Sequence, residues 1–239
     1  MKLLELTLEH PRENIALDEA LLESAEAGGE HSEVLRIWEP DSPIVVIGRS
    51  SPIKTEVDLD FCAANQIEVI RRSSGGQSIV TGPGCLMYAV LLDYRERPEL
   101  RMLEEAHQFV MDKMQAALQS LKIESKMEGT CDLTLGGRKF SGNALRCKRD
   151  WMIYHGTMLC DFDLELLAKC LGKPIRQPEY RGQRDHQEFL TQLPTSTREL
   201  ADAIKQQWNA DEVLKEWPRE LTKQLVAEKY SQHDWNYKI

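Results

Sequence analysis

The residues best able to do chemistry in this 239-residue chain stand in two short blocks. In the first, Arg71-Arg72-Ser73-Ser74-Gly75-Gly76-Gln77-Ser78-Ile79-Val80, a pair of arginines runs from a strand-like segment straight into small residues. Small residues let a ligand approach the backbone, free N–H groups bind anions, and a guanidinium pairs bidentately with phosphate or carboxylate. The alternative is an ordinary tight turn flanked by solvated arginines. The block is neither G-x-G-x-x-G nor a G-x-x-x-x-G-K-[ST] phosphate loop, so a nucleotide bound here implies a different fold.

The second block is Cys131-Asp132-Leu133-Thr134-Leu135-Gly136-Gly137-Arg138-Lys139-Phe140-Ser141-Gly142-Asn143-Ala144. It reads as two alternating strands joined by a two-residue Gly-Gly turn. In that register Leu135 faces Arg138, Thr134 faces Lys139 and Asp132 faces Ser141. Alternation then puts Asp132, Thr134, Lys139 and Ser141 on one face, and Leu133, Leu135 and Phe140 on the other. A lysine held among Asp, Thr and Ser is a fixed positive charge aimed at a pocket; the alternative is a solvent-facing hairpin whose lysine protects a sheet edge. His155-Gly156 either brings an imidazole toward the same place or is structural. Cys131 and Cys147 flank the lysine, yet no histidine adjoins either one in sequence to activate it. Paired carboxylates, a Ser-His-Asp order and H-E-x-x-H are unsupported.

These blocks need elements to hold them. Residues 14–27 carry apolar positions at helical spacing and stop at Gly28-Gly29. Strands are expected over 34–38, 44–47, 67–71, 78–80 and 86–92, and a long covering helix over 98–121. Further strands are expected over 123–127, 131–135, 138–144 and 152–159, then a short helix over 164–171. Residues 172–194, with Pro174, Pro178, Tyr180, Arg181 and Arg184, read as a long ordered loop over the domain, and such loops are often functional. Ser196-Thr197-Arg198-Glu199 is a capping box opening one helix, and another helix follows Pro218. Three of the five tryptophans lie in this tail, which is expected to dock on the rest.

An apolar fraction of 41% is enough to build a core and excludes a disordered or low-complexity chain. Thirty basic residues against 39 acidic give a net charge of -9, which argues against broad binding to nucleic acid or an anionic membrane. Six scattered cysteines without C-x-x-C spacing disfavour a zinc site or a disulfide framework. The start lacks a signal-peptide core and no apolar run could span a bilayer, so the cytoplasm is the expected compartment.

Taken together and in this order, the blocks resemble the lipoate-protein ligase A family and its relatives, the octanoyl- and lipoyltransferases and biotin protein ligases. The resemblance rests on Asn14-Ile15-Ala16-Leu17-Asp18, Val46-Ile47-Gly48-Arg49, the Arg71–Val80 block, Asp132-Leu133, Gly137 through Ala144, and His155-Gly156-Thr157-Met158-Leu159. Gln77 and Ser78 stand where the family pattern has glycine and alanine. The match runs over residues 1–195.

The resemblance implies an α+β catalytic domain over 1–195, built on a mixed, largely antiparallel sheet flanked by helices, as in class II synthetases and biotin ligases. Residues 196–239 would be a helical extension packed on it. It implies an enzyme that uses ATP with Mg²⁺ to convert lipoate or octanoate into acyl-AMP. A lysine of a lipoyl domain, in a 2-oxoacid dehydrogenase E2 or a glycine cleavage H protein, then takes the acyl group. Lys139 would be catalytic, contacting the α-phosphate and the acyl carbonyl. Arg72, Gly75, Gly76, Gln77, Ser78, Ile79, Val80, Asp132, Ser141, Gly142 and Ala144 would hold ATP or acyl-AMP, while Arg71, Ser74, His155 and Gly156 would line the acyl site. Family ligases of free lipoate commonly need an accessory domain or subunit. The alternatives are an octanoyl or lipoyl transferase with an acyl-carrier or acylated-protein donor, and a non-catalytic lipoyl-domain binder.

Overall fold

Runs of consecutive apolar residues become the central strands, and runs at helical spacing become the helices that cover them. Residues 1–29, 32–172 and 177–238 are described by the computed structural model. Lys2–Glu5 (β1) leads into Pro11–Glu26 (α1), whose proline sits in the first turn, where an N–H has no helical partner to lose. Val34–Trp38 (β2) and Ile44–Ile47 (β3) are buried throughout. Ile53–Glu56 (α2) and Leu59–Ala64 (α3, capped by Asp58) precede Glu68–Arg71 (β4), Ile79–Thr81 (β5) and the wholly buried Cys85–Asp93 (β6). The long helix begins as a 3-10 turn at Pro98–Arg101 and becomes α-helical over Leu103–Ser120 (α4).

Four short strands, Lys126–Glu128 (β7), Asp132–Leu135 (β8), Arg138–Ser141 (β9) and Asn143–Cys147 (β10), are followed by Trp151–Leu159 (β11). Leu164–Cys170 (α5), His186–Phe189 (α6) and Thr197–Gln207 (α7) come next, the last two opened by capping boxes at Asp185 and Ser196. Glu212–Val213 (β12), Arg219–Leu225 (α8) and His233–Asn236 (α9) complete the chain. Of the loop expected over 172–194, residues 173–176, Pro174 among them, lie outside the described residues.

The main sheet has the order β10-β11-β6-β2-β1-β12. Its first three pairings are antiparallel and its last two parallel, which makes it the expected mixed, largely antiparallel sheet of an α+β fold. Period-two alternation sorts its residues between two layers. Val34, Leu91, Trp151 and Ile153 pack with Leu17, Leu21 and Leu22 of α1. Leu35, Val90, Met152 and Tyr154 share the larger core with Val110, Met111 and Met114 of α4. Two three-stranded sheets, β4-β3-β5 and β7-β8-β9, carry the two chemical blocks.

Three expectations are corrected. The strand expected over 138–144 breaks at Gly142, because β9 belongs to the small sheet and β10 to the large one. The hairpin register holds at Leu135–Arg138 and Thr134–Lys139, but an irregularity then places Leu133, not Asp132, opposite Ser141. Phe140 is the extra residue, a bulge of the kind that re-aims side chains near functional sites. The tail is not wholly helical, since β12 adds a parallel strand beside β1. No helix among the described residues is long and apolar enough to cross a membrane.

Glu19, buried on α1, ties the tail to the domain through Lys229 Nζ at 2.7 Å and the Tyr230 hydroxyl at 2.7 Å, with Arg146 Nη1 at 2.9 Å. Burial opposes ionisation, but the Lys229, Tyr230 and Arg146 contacts outweigh it and hold the carboxyl below its usual 4.5. A depressed folded pKa contributes stability that is present above the unfolded value and lost as the pH falls through the folded one. Glu19→Gln is therefore expected to be less stable than the native chain near neutrality and to lose less on acidification below about pH 4.5. Urea unfolding at neutral and acidic pH checks this; an unchanged acid sensitivity contradicts it.

Candidate active site

The Arg71–Val80 block crosses the ends of the parallel strands β3 and β4. Arg49 N–H donates to the Ser74 carbonyl at 2.8 Å, Arg72 N–H to the Ile47 carbonyl at 2.9 Å, and the Ser51 hydroxyl to the Gly76 carbonyl at 3.0 Å. A Cβ on Gly48 would lie 1.7 Å from the Gly76 carbonyl oxygen, so a glycine there lets the loop sit on the sheet.

The Arg72 guanidinium is buried, 7% exposed, and organises this loop. Nε donates to Ser74 Oγ at 3.0 Å, Nη1 to the Val46 carbonyl at 3.2 Å, and Nη2 to the carbonyls of Gly75 at 2.5 Å and Gln77 at 3.0 Å. Among the described residues it makes no ion pair. Burial pushes its pKa down to about 10, with Glu56 opposing that shift and Arg71 adding to it. A buried cation without a carboxylate partner carries a desolvation cost that its bonds to Ser74 and to three carbonyls offset.

Lys139 on β9 meets the first block across a common space. Its Nζ lies 2.8 Å from Asp132 Oδ1, while the other Asp132 oxygen accepts the Tyr180 hydroxyl at 2.7 Å. Two cavities meet at this lysine, one of about 420 Å³ and one of about 110 Å³. Lys139, Asp132, Gly142, Gln77, Ser78 and Ile79 line both. Arg72, Gly76, Ala144, His155 and Gly156 line the larger one, with the apolar side chains of Ile15, Val46, Met87 and Ile153. Val80 and Ser141 line the smaller, against Phe140, Leu167 and Phe189. The larger volume falls within the usual range of small-ligand pockets.

Three expected site residues sit elsewhere. Gly75 borders a separate opening with Ser50 and Ser51. Ser74 lies behind the wall, its Oγ 2.7 Å from His155 Nε2. Arg71 is corrected outright: alternation along β4 turns it away from the cavities. Its guanidinium donates to the carbonyls of Gly48 at 2.7 Å, Ser51 at 2.9 Å and Lys238 at 2.7 Å, clasping the end of the chain.

Sequence reading passed over several residues the site contains. Asn143 donates to the Cys131 carbonyl at 2.6 Å and accepts from the Tyr88 hydroxyl at 2.5 Å. A Cβ on Gly156 would fall 1.8 Å from Asn143 Oδ1, so the two residues interlock. Glu56 accepts from both the Ser78 N–H at 2.8 Å and its hydroxyl at 2.7 Å, and no motif pointed to it. Pro178, Arg181, His186 and Phe189 close the smaller cavity from the 172–194 segment, whose length was the available signal. Cys131, which the sequence did offer as a nucleophile, lines the larger cavity but is 7% exposed, with its Sγ–H 3.5 Å from the Asn143 carbonyl. Burial pushes its thiol up, away from the reactive thiolate.

A Cβ on Gly142 would stand 3.1 Å from Lys139 Nζ and 3.2 Å from Cε, so the lysine folds back over a residue without a side chain. Gly142→Ala is expected to displace the ammonium by a few tenths of an ångström and lower turnover about tenfold or more while leaving the melting temperature nearly unchanged. Steady-state kinetics with a thermal melt would check it; unaltered turnover would show that this packing does not position the lysine.

The chain matches the lipoyl protein ligase A/B catalytic domain over residues 10–222. It is 26% identical to a Mycoplasma pneumoniae protein named probable lipoate-protein ligase A, over 95% of this chain and 68% of that one. It is 28% identical to octanoyltransferase LipM of Carboxydothermus hydrogenoformans, over 95% and 94% of the two chains. Among solved structures, a lipoate-protein ligase A bound with ATP superposes with a TM-score of 0.82 at 22% identity, covering 99% of this chain and 98% of that one. A bipartite lipoate protein ligase of Thermoplasma acidophilum, described with its E2 lipoyl domain, gives 0.83 at 22% identity, covering 99% and 95%. At these identities the two structures establish the fold. With the family matched over most of its length, the chain belongs to the lipoyl protein ligase A/B catalytic family and is an enzyme of that family, whose named members include lipoate-protein ligases and octanoyltransferases.

Proposed function

We propose that the chain joins lipoate or octanoate to AMP at the expense of ATP and passes the acyl group to a lysine of a lipoyl domain. The observation that carries this reading is the pair of cations on one cavity: Arg72, buried without an ion-pair partner among the described residues, and Lys139, at the junction with a second cavity. An acyl carboxylate attacking an α-phosphate builds negative charge on phosphorus and its oxygens, and fixed cations with backbone N–H groups stabilise it. ATP supplies the α-phosphate and the pyrophosphate leaving group, and Mg²⁺ would accompany its phosphates.

Each wall has a task in this reading. The apolar side chains of Ile15, Val46, Met87 and Ile153 would take the acyl chain. The smaller cavity, apolar at Val80, Phe140 and Phe189, suits a nucleoside base. Lys139 would leave Asp132 to the Tyr180 hydroxyl and turn to the phosphate and the acyl oxygen. In the second step the neutral amine of the acceptor lysine attacks the acyl carbon and AMP departs. The work of this chain there is to hold the carbonyl and shut out water. The acceptors are the lipoyl domains of 2-oxoacid dehydrogenase E2 or glycine cleavage H protein, with an accessory subunit where one is needed, acting in the cytoplasm. In this reading the segment from residue 196 onward serves as an extension of the catalytic domain.

The transferase reading would use Cys131, which lines the acyl cavity, as an acyl-thioester carrier. Its raised pKa speaks against that role. The purified chain with lipoate or octanoate, ATP and Mg²⁺, or with octanoyl-carrier protein, distinguishes the two. Acyl-AMP without an enzyme thioester is the expected result. A thioester at Cys131 without adenylate would replace the proposal with the transferase, and tight lipoyl-domain binding without either product would leave a non-catalytic binder.

A further inference from the structure

A line of hydrogen bonds runs along the wall of the larger cavity and joins the loop after β4, β11, α1 and β2. Arg72 Nε lies 3.0 Å from Ser74 Oγ, and Ser74 Oγ lies 2.7 Å from His155 Nε2. His155 Nδ1 lies 2.9 Å from Asp18 Oδ2, and Asp18 Oδ1 lies 2.6 Å from Arg36 Nη1. Arg36 is itself held by the Asn14 carbonyl at 2.7 Å and by Asn14 Oδ1 at 2.9 Å. Arg72, His155 and Asp18 face the cavity that Lys139 lines.

The chemistry of the two ends sets the direction of every bond between them. A guanidinium only donates, so Ser74 Oγ accepts from Arg72 and its own hydrogen is left to donate. A carboxylate only accepts, so His155 carries a proton on Nδ1, and the neutral ring then presents a bare Nε2 that the Ser74 hydrogen fills. One tautomer of one neutral imidazole satisfies both ends. We propose that Asp18 and His155 are positioning residues that hold Ser74 and Arg72 in the orientation adenylate formation needs. This deepens the proposed reaction and rests on it only for its activity readout.

Asp18→Asn tests the line with little change of shape. Arg36 demands the amide oxygen, so the NH₂ group faces His155 Nδ1 and drives the proton to Nε2. Ser74 Oγ then meets two donors and loses its acceptor, as in the wrong-tautomer variants of hydrolase triads. In ¹⁵N spectra the native chain is expected to show His155 as the neutral Nδ1–H tautomer and a protected Arg72 Nε–H. The variant is expected to show the Nε2–H tautomer and about tenfold faster solvent exchange at the Arg72 Nε–H, because Ser74 Oγ is no longer fixed by its own bond to His155 and shares its lone pairs between two donors. Acyl-adenylate formation should fall about 10- to 100-fold in kcat, with the KM for ATP nearly unchanged.

Ser74→Ala, which cuts the line at its middle, should reproduce the exchange and kcat effects if Asp18→Asn fails to fold. A native His155 protonated on Nε2, or a flipped tautomer with Arg72 exchange and kcat unchanged, would overturn the proposal. If the native chain makes no adenylate, the proposed reaction fails, while the tautomer and exchange measurements still decide the relay.

Discussion

Lys139→Ala is expected to lower acyl-adenylate formation by about two orders of magnitude or more, the scale for removing one donor aimed at developing charge. The ammonium is a quarter exposed, with side-chain accessibility of 25%, so its removal empties no packed core and should cost little stability. Arginine at this position should rescue poorly, because its planar fork does not fit the space over Gly142 that the slender lysine uses. Single-turnover formation of acyl-AMP, followed with radiolabelled ATP, measures the step directly. A rate within a few-fold of the native chain would remove Lys139 from the chemistry.

Arg36→Met is the substitution expected to damage folding most. Arg36 is fully buried on β2, stacked 4.9 Å from the Trp38 ring centre and paired with Asp18. Burial opposes ionisation of Asp18, and Arg36 with His155 outweighs it and keeps the carboxylate charged. Removing the guanidinium leaves that charge with the His155 N–H but without its cation, and breaking one side of a buried pair typically costs about 3 to 5 kcal/mol. Urea unfolding should show the loss. Exchanging both partners for apolar residues, Arg36→Met with Asp18→Leu, should recover much of the stability, since buried pairs are often replaceable by well-packed side chains. It should not recover activity, because the line through His155 to Arg72 is cut. A double variant that regains both would show the pair to be purely structural.

Much of the scaffold was legible from local pattern alone. The strands at Val34–Trp38 and Ile44–Ile47 have the expected bounds, because continuous burial leaves unbroken apolar runs. The Gly136-Gly137 turn was readable because both residues adopt positive φ, 59° and 74°, which the tight hairpin requires. What escaped depends on contacts distant in sequence or on half-turns of backbone. The bulge at Phe140 decides that Leu133 faces Ser141, and no alternation pattern announces it. The resemblance gave Arg72 to ATP or acyl-AMP and Arg71 to the acyl site, yet neighbouring residues of an extended backbone point to opposite sides. Arg72 reaches the cavity, while Arg71 binds carbonyls of the tail more than 160 residues away. Asp18 stood in a noted pattern, but its bond to His155 spans 137 residues, beyond the reach of periodicity.

The assignment of the two cavities is open to direct inspection. A crystal structure with a non-reactive sulfamoyl analogue of lipoyl-AMP should place the acyl chain among Ile15, Val46, Met87 and Ile153, and the adenine beside Val80 and Phe140. The sulfamoyl oxygens should lie within hydrogen-bonding distance of Lys139 Nζ, near the Arg72 guanidinium. An analogue seated elsewhere, with Lys139 still paired to Asp132 and both cavities empty, would contradict the account.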